Sequence, residues 1–530
     1  MRLFRFLLFP TLLIWTLILN LFHAGVFPKP KLSPPAQASA EWLDAEAMGI
    51  HHMILKGPPY ERGLKAGQLT KDLLLEQEEV LNSQLEKWLP QRWMRQTAVL
   101  AAIAWFQGID RFLSHEHLLE MYGTSKSAPP KYDYLVDAFT RQVAYHGLHE
   151  VGQMMVDQGF EAMGCTVVAA KRGKNWILGR NFDFEGGRIF DREKIIKWVF
   201  PERGNAFVSI IWAGMVGAVT GVNEKGVYIS INAAGSQDFA RVGNPSTLVL
   251  LEVLQSANTS AEAAEILRNA PMFITDIFVV NDRSGNLLVV EKSPKKFSTT
   301  TLTRNAVITN HLTSEAFKGD PTNEHRKNEL TSVARFERGQ KLVEKIQPGF
   351  DQQQAVHAVL AILRDKGTGA DGRPLNLGHR RAIDALIATH SVVYDSPRDR
   401  LYVSQGPAIS GPFLGYDLKQ SFAKQSPVFA GELPRDPLVS DAIFERVKNS
   451  ASVISRAHRL IAKFKCLDGM DLLESIPPAD REQSAYYHAL GDAQKCRHSK
   501  VEARLSWQRA LALTPAYAKE ERALRRSLAE

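Results

Sequence analysis

The chain has 530 residues, a formal net charge of +8 at neutral pH, 45% apolar residues and 23% charged residues. A chain of this length ordinarily divides into two or more domains, and this composition belongs to a globular protein able to bury a large core. The positive balance suits an anionic membrane or an acidic substrate, but no zinc-ligand spacing, phosphate-cradling loop or basic-aromatic motif accompanies it, which argues against a metal site and a nucleic-acid partner.

Arg2 and Arg5 precede a run from Phe6 to Phe27 that contains no Asp, Glu, Lys or Arg. A bilayer span takes ~20 mostly apolar residues, and the basic flank predicts export of the chain downstream of the run. Two readings stay open for residues 1–40. One is an uncleaved signal-anchor followed by the stiff linker Pro28–Pro35; the other is a signal peptide cut after Ala38-Ser39-Ala40. In the first, the membrane is a partner through the N-terminus, and the rest sits on the periplasmic or extracellular side.

From Glu41 to Gln158 apolar residues recur at helical spacing, most clearly over Leu73–Leu89 and Met94–Phe112, which predicts a mostly helical segment over 41–164. Asp157–Met163 reads as an exposed linker. Gly164-Cys165-Thr166 then opens an apolar strand, Thr166–Ala170. The polar stretch Lys171–Asn175 turns the chain, and a second strand from Trp176 runs into Gly179-Arg180-Asn181-Phe182-Asp183. A hairpin of this form returns Arg180 and Asp183 to the neighbourhood of Cys165. A cation and hydrogen-bond donors beside a thiol favour the nucleophilic thiolate.

Further on, Asn223–Gly226 has turn chemistry and leads into a strand ending at Asn232. Val307–His311 ends a strand at Asn310. Ser332–Arg338 offers Arg335, preferred over Arg338 as a site residue. Ser260–Asn269 and Asn328–Ile346 read as helices, and Thr389–Asp395 with Leu401–Pro407 as a closing strand pair. Strand groups separated by helices fit an α+β core over 165–433. From Pro434 the chain reads as helical to its end. There Ser484–Tyr517 resembles one tetratricopeptide repeat through Tyr487, Leu490, Gly491, Ala503, Trp507, Ala510 and Pro515. A protein partner is one use for such a segment. The chain has three cysteines, and whether Cys466 pairs with Cys496 is left open.

Together these motifs resemble the N-terminal-nucleophile hydrolases, in particular the choloylglycine hydrolases and the penicillin-precursor acyltransferases. The resemblance runs from about Ile50 to about Gly415 and includes Gly57–Gly67, similar to the opening of acyltransferase precursors. It implies a four-layer αββα sandwich preceded by a helical prosegment. It also implies self-cleavage between Gly164 and Cys165, after which the free α-amine of Cys165 is the general base. Carried over by position, Asn232 helps form the oxyanion hole, Asn310 holds the α-amine or the substrate, and Arg335 is a further site residue. Arg180 would polarise the thiolate and Asp183 position the α-amine. The activity implied is hydrolysis or acyl transfer at an N-acyl amide C–N bond, on a small-molecule substrate and without a cofactor. Two other readings are a membrane-anchored scaffold working through its C-terminal repeat, and a cysteine peptidase pairing Cys165 with His311 and needing no self-cleavage.

Overall fold

The computed structural model describes residues 27–32, 34, 36–147, 150, 152–153, 163–369 and 372–530. The expected apolar span lies outside them except for Phe27, and the expected linker except for Met163. Among the described residues no helix is long and apolar enough to cross a membrane.

Two sheets form the centre. One has nine strands in the spatial order β1 (Ser39–Leu43), β2 (His51–Gly57), β5 (Ile195–Pro201), β6 (Phe207–Ile211), β7 (Thr220–Asn223), β8 (Tyr228–Ala233), β9 (Asp276–Asn281), β10 (Leu287–Lys292) and β11 (Phe297–Thr301). The other has seven: β12 (Ala306–Ile308), β3 (Met163–Arg172), β4 (Asn175–Phe184), β13 (Ala388–Asp395), β14 (Arg400–Ser404), β15 (Phe413–Asp417) and β16 (Phe429–Leu433). Side chains alternate along a strand, so each sheet has two faces to cover. Val167 and Ala169 of β3 meet Leu178, Trp198, Val208 and Tyr228 in a core between the sheets. Val168 and Ala170 point the other way, onto Val356, Val359 and Leu363 of a helix, Gln352–Leu363. The nine-stranded sheet is covered in turn by Leu248, Leu251 and Leu254 of the helix Ser246–Ser256.

The segment before Cys165 is not a purely helical prosegment. β1 and β2 escape a reading by periodicity because their alternation is short and flanked by helical patterns. β2 pairs in parallel with β5 from His51↔Ile195 to Gly57↔Pro201, so this segment completes the large sheet. A cut after Ala40 would remove the first two residues of β1, which pair with Lys56 and Leu55. Helix α1 (Pro59–Leu69) crosses α4 (His115–Ser125), and between them in the chain lie α2 (Lys71–Trp88) and α3 (Arg92–Trp105). A buried ion pair joins Arg62 of α1 to Glu120 of α4 at 2.8 Å, and Lys197 of β5 stands 3.8 Å from the same carboxylate.

The helix expected over Asn328–Ile346 is two helices, Pro321–Glu329 and Ser332–Val343, because Leu330 is extended between them. The labels α5 to α10 belong to Ala138–His146, Ser246–Ser256, Ser260–Asn269, Pro321–Glu329, Ser332–Val343 and Gln352–Leu363. Beyond β16 the chain is helical, through α11 (Asp441–Ile461), α12 (Cys466–Glu474), α13 (Ser484–Cys496), α14 (Lys500–Ala512) and α15 (Ala518–Ala529). Gly491 of α13 lies against the Trp507 ring of α14, where a Cβ would stand 2.5 Å from the indole. Cys466 and Cys496 are disulfide-bonded, which settles the pairing left open by sequence.

Candidate active site

The site is built on the β3–β4 hairpin, closed by a tight turn at Gly173-Lys174 in which Gly173 takes φ +57°. The register sets Cys165 opposite Phe182, Val167 opposite Arg180 and Gly164 opposite Asp183. Cross-strand partners share a face. Cys165, Phe182 and Arg180 therefore look toward the nine-stranded sheet, while Asp183 and Thr166 look toward α9. The hairpin extends past the nucleophile to Met163, so the Gly164–Cys165 bond lies within a paired strand and not in an exposed linker.

Arg180 is wholly buried. Its Nη2 lies 3.9 Å from Cys165 Sγ and also donates to Ile231 O, while its Nη1 donates to Val219 O at 2.9 Å and to Thr220 Oγ1. It thus ties one sheet to the other at the nucleophile. In the uncut chain burial pushes the Cys165 thiol above its ordinary value, and the Asp183 charge adds to this; Arg180 and Arg335 pull it back only in part. The thiolate expected from the Arg180 neighbourhood is accordingly not the favoured form here, because desolvation outweighs the cation.

On the other face, Arg335 of α9 grips the backbone of the nucleophile. Its Nη1 donates to Cys165 O at 2.5 Å and to Thr166 Oγ1 at 2.8 Å, and its Nη2 donates to Asn310 Oδ1 at 2.7 Å. Asn310 Oδ1 also accepts the Cys165 N–H at 2.8 Å, while its Nδ2 donates to Ala233 O at 2.9 Å. Asn310 and Arg335 therefore hold the backbone N–H and C=O of Cys165 respectively. Arg338, by contrast, pairs with Asp365 at 2.7 Å. Gly164 does not use a left-handed backbone; its role is space. A Cβ there would stand 3.3 Å from Asp183 Oδ2 and 3.5 Å from Arg335 Nη2.

Asn232 is buried at the end of β8, where its Nδ2 donates to Thr309 O at 3.1 Å and its Oδ1 has no partner among the described residues. It stands beside the end of β12, just before Asn310, and its amide hydrogens face the carbonyls of Ile308 and Thr309 in the uncut chain. His311 does not turn toward the thiol. Its Nδ1 lies 2.8 Å from Ser332 Oγ and 3.1 Å from Thr309 Oγ1, and burial lowers its pKa to about 4. The imidazole beside the Arg180 cluster is His390, opposite Phe182 in β13, stacked on that ring at 5.2 Å and 2.9 Å from Thr220 Oγ1. By sequence, Thr389–Asp395 reads only as a closing strand. A lone His in an apolar strand is the available signal, but nothing local shows which strand it lies beside.

Burial raises the Asp183 carboxyl to about 7, with Arg335 opposing and Asp384 reinforcing the shift. The unfolded chain releases this proton near 3.8, so stability falls as pH rises from about 4 to about 7. In a Cys165→Ala background, Asp183→Asn is expected to raise Tm by roughly 5 °C above pH 7. The gain should shrink toward zero as pH falls to 4, where the parent is protonated too. Thermal melts over that range check this; a gain equal at both ends would refute it.

A cavity of about 150 Å³ opens beside Phe182, walled by Phe184, Phe190, Trp212, Met215 and Val219 of the core and by Leu74 and Leu81 of α2. The polar groups in its lining come from Gln77, Glu78, Tyr145, His146 and Thr247. A larger groove of about 1210 Å³ runs by the edge strand β12, with Thr309 and His311 among its lining; Cys165 is not. Cys165 does not line the smaller cavity either, but Phe182, its cross-strand neighbour, does.

Residues 168–370 match the family model described as acyl-coenzyme A:6-aminopenicillanic acid acyl-transferase. The match falls on the segment whose motifs resemble the N-terminal-nucleophile hydrolases and supports that resemblance. An uncharacterised protein of Archaeoglobus fulgidus is 24% identical over 127 residues, 23% of this chain and 21% of that protein. The match thus spans about a fifth of that relative's length. Among solved structures, a Caenorhabditis elegans N-acylethanolamine-hydrolyzing acid amidase ortholog is 16% identical, with TM-score 0.32, covering 50% of this chain and 100% of that one. A variant of conjugated bile acid hydrolase from Clostridium perfringens is 14% identical, with TM-score 0.34, covering 52% and 100%. Penicillin V acylase from Agrobacterium tumefaciens is 16% identical, with TM-score 0.32, covering 51% and 98%.

Proposed function

We propose that this chain, which resembles the penicillin acyltransferase type over its core, is a self-processing amidohydrolase or acyltransferase of N-acyl amides with Cys165 as nucleophile. One observation carries the reading. The Cys165 N–H is held by Asn310 Oδ1 at 2.8 Å and its carbonyl by Arg335, with Arg180 at the thiol. A structural cysteine has no need of a dedicated bracket on its own amide. A nucleophile whose nitrogen becomes the base does need one.

Self-cleavage begins with attack of Cys165 Sγ on the Gly164 carbonyl carbon. The Gly164–Cys165 C–N bond breaks, the thiol proton passes to the departing nitrogen, and a thioester forms. Water then hydrolyses it to a Gly164 carboxylate and a free Cys165. The new α-amine, with an ordinary pKa near ~8, has a usable neutral fraction at physiological pH. Asn310 Oδ1 already faces it, and the buried Asp183 carboxyl lies beside the residue that leaves. In turnover the amine takes the thiol proton as Sγ attacks the substrate carbonyl, then protonates the leaving amine. Asn232 Nδ2 and backbone N–H groups receive the oxyanion. The acyl-enzyme passes its acyl group to water or to a second amine.

The aromatic cavity at Phe182 supports an apolar acyl group for the substrate. The two sheets with helices on both outer sides support the four-layer reading, with 41–164 as the first piece, 165–433 as the second and 434–530 as a repeat-like helical addition. Export behind the N-terminal apolar run belongs to the same proposal. Because β2 pairs with β5, and Arg62, Glu120 and Lys197 bridge the pieces, cleavage should leave a two-chain particle. The test is intact mass and N-terminal sequencing of wild type and Cys165→Ala. Wild type should yield two co-purifying pieces, the second starting at Cys165. The variant should stay whole and lose amidase activity entirely. An intact, active wild type would sink the mechanism.

A further inference from the structure

The C-terminal helices carry an exposed patch that the catalytic reading does not use. Phe464 is 87% exposed, Val501 74%, and Leu467 and Leu505 61% each. The Cys466–Cys496 disulfide draws them together: its Cα atoms lie 6.0 Å apart, joining the α11–α12 turn to the α13–α14 turn. Val501 and Leu505 sit one helical turn apart on α14. Exposed Lys463, Lys465, Arg497, Lys500 and Arg504 interleave with these apolar side chains, against the acidic Asp468, Asp471 and Glu502. Among the described residues Lys463, Lys465, Lys500 and Arg504 make no ion pair. Both turns pass through left-handed residues that are not glycine, Phe464 at φ +60° and His498 at φ +64°. A glycine would serve such a turn at less cost. The chain instead keeps a bulky aromatic there and turns it into solvent.

We infer that this tip is a docking surface for an anionic lipid bilayer. Apolar side chains that enter the acyl boundary, surrounded by cations that meet lipid phosphates, are the chemistry such a surface selects. The core of a protein interface is instead depleted in lysine. The disulfide ties the two turns that carry these apolar side chains to each other. The surface is independent of the active-site reading.

Hydrogen exchange on the full chain tests this locally, apart from any membrane contact of the N-terminus. With vesicles of phosphatidylcholine and phosphatidylserine, peptides covering 458–470 and 494–506 should exchange at least about tenfold more slowly. Phosphatidylcholine vesicles should leave them unchanged. Lys463→Glu/Lys465→Glu/Lys500→Glu should abolish the protection, and Phe464→Ser/Leu467→Ser should reduce it; all five positions are exposed. No protection with the anionic vesicles overturns the proposal, as would be found for a surface built for a protein partner. Protection that survives the charge reversal overturns it as well.

Discussion

Arg335→Ala is expected to leave the chain uncut between Gly164 and Cys165, with processing slowed by roughly 10²- to 10³-fold. The guanidinium is buried and makes three hydrogen bonds, to Cys165 O, Thr166 Oγ1 and Asn310 Oδ1. Removing it strips a buried carbonyl of its donor and frees the Asn310 side chain that orients the Cys165 nitrogen. It also removes the cation that opposes the upward shift of Asp183. Deleting one partner of a buried charge network costs about 3–5 kcal/mol, so Tm should fall along with processing. Arg335→Lys separates the two effects. A single ammonium keeps the charge near Asp183 but does not span Cys165 O and Asn310 Oδ1 as a planar fork does. Its stability should largely recover while its cleavage stays slow. The cut fraction followed by intact mass over time, beside thermal melts, reads both. Wild-type cleavage in Arg335→Ala would remove this residue from the site.

Gly63→Ala is expected to be strongly disruptive although it lies outside the site. A Cβ at Gly63 would stand 1.9 Å from Glu120 O, and one at Gly123 would stand 2.1 Å from Tyr60 O. Both obstacles are backbone, so helices α1 and α4 must move apart rather than a side chain step aside. Their separation would also pull Arg62 from Glu120, both of them buried. Overpacking of this kind costs about 1–3 kcal/mol, and strain on the buried ion pair adds to it. In the processed protein the same substitution should promote loss of the first piece from the second. Gly349→Ala, with open space around it and no left-handed backbone, is the control expected to be near neutral. Denaturant melts and size-exclusion of the cut protein provide the readings. Equal stability of the two variants would contradict the close crossing.

The geometry of the hairpin was legible in the sequence because strand pairing across a short turn is local. Alternation and the turn at Gly173 are enough to return Arg180 and Asp183 to Cys165. The motif residues Asn310 and Arg335 do meet at the backbone of Cys165. Local rules stop at the question of face. The two-residue period places Arg180 on the Sγ side and Asp183 on the opposite side with Arg335, a distinction that requires the register. The thiol shows the same limit. Its charged neighbours were readable, but its elevated pKa comes from burial between the sheets.

The sequence by itself determined the elements whose causes lie within a few residues: the hairpin, the helix Ser260–Asn269, the helix pair α13–α14 and the order of the candidate site residues. Only the tertiary structure decided that β2 joins β5, that His390 rather than His311 stands by the Arg180 cluster, that Cys466 bonds to Cys496, and that Gly63 and Gly123 are contact points between helices. Each of these joins segments far apart in the chain. Partners at such separation are selected by how whole faces pack and which buried groups find a hydrogen bond, and those conditions exist only once the layers have closed.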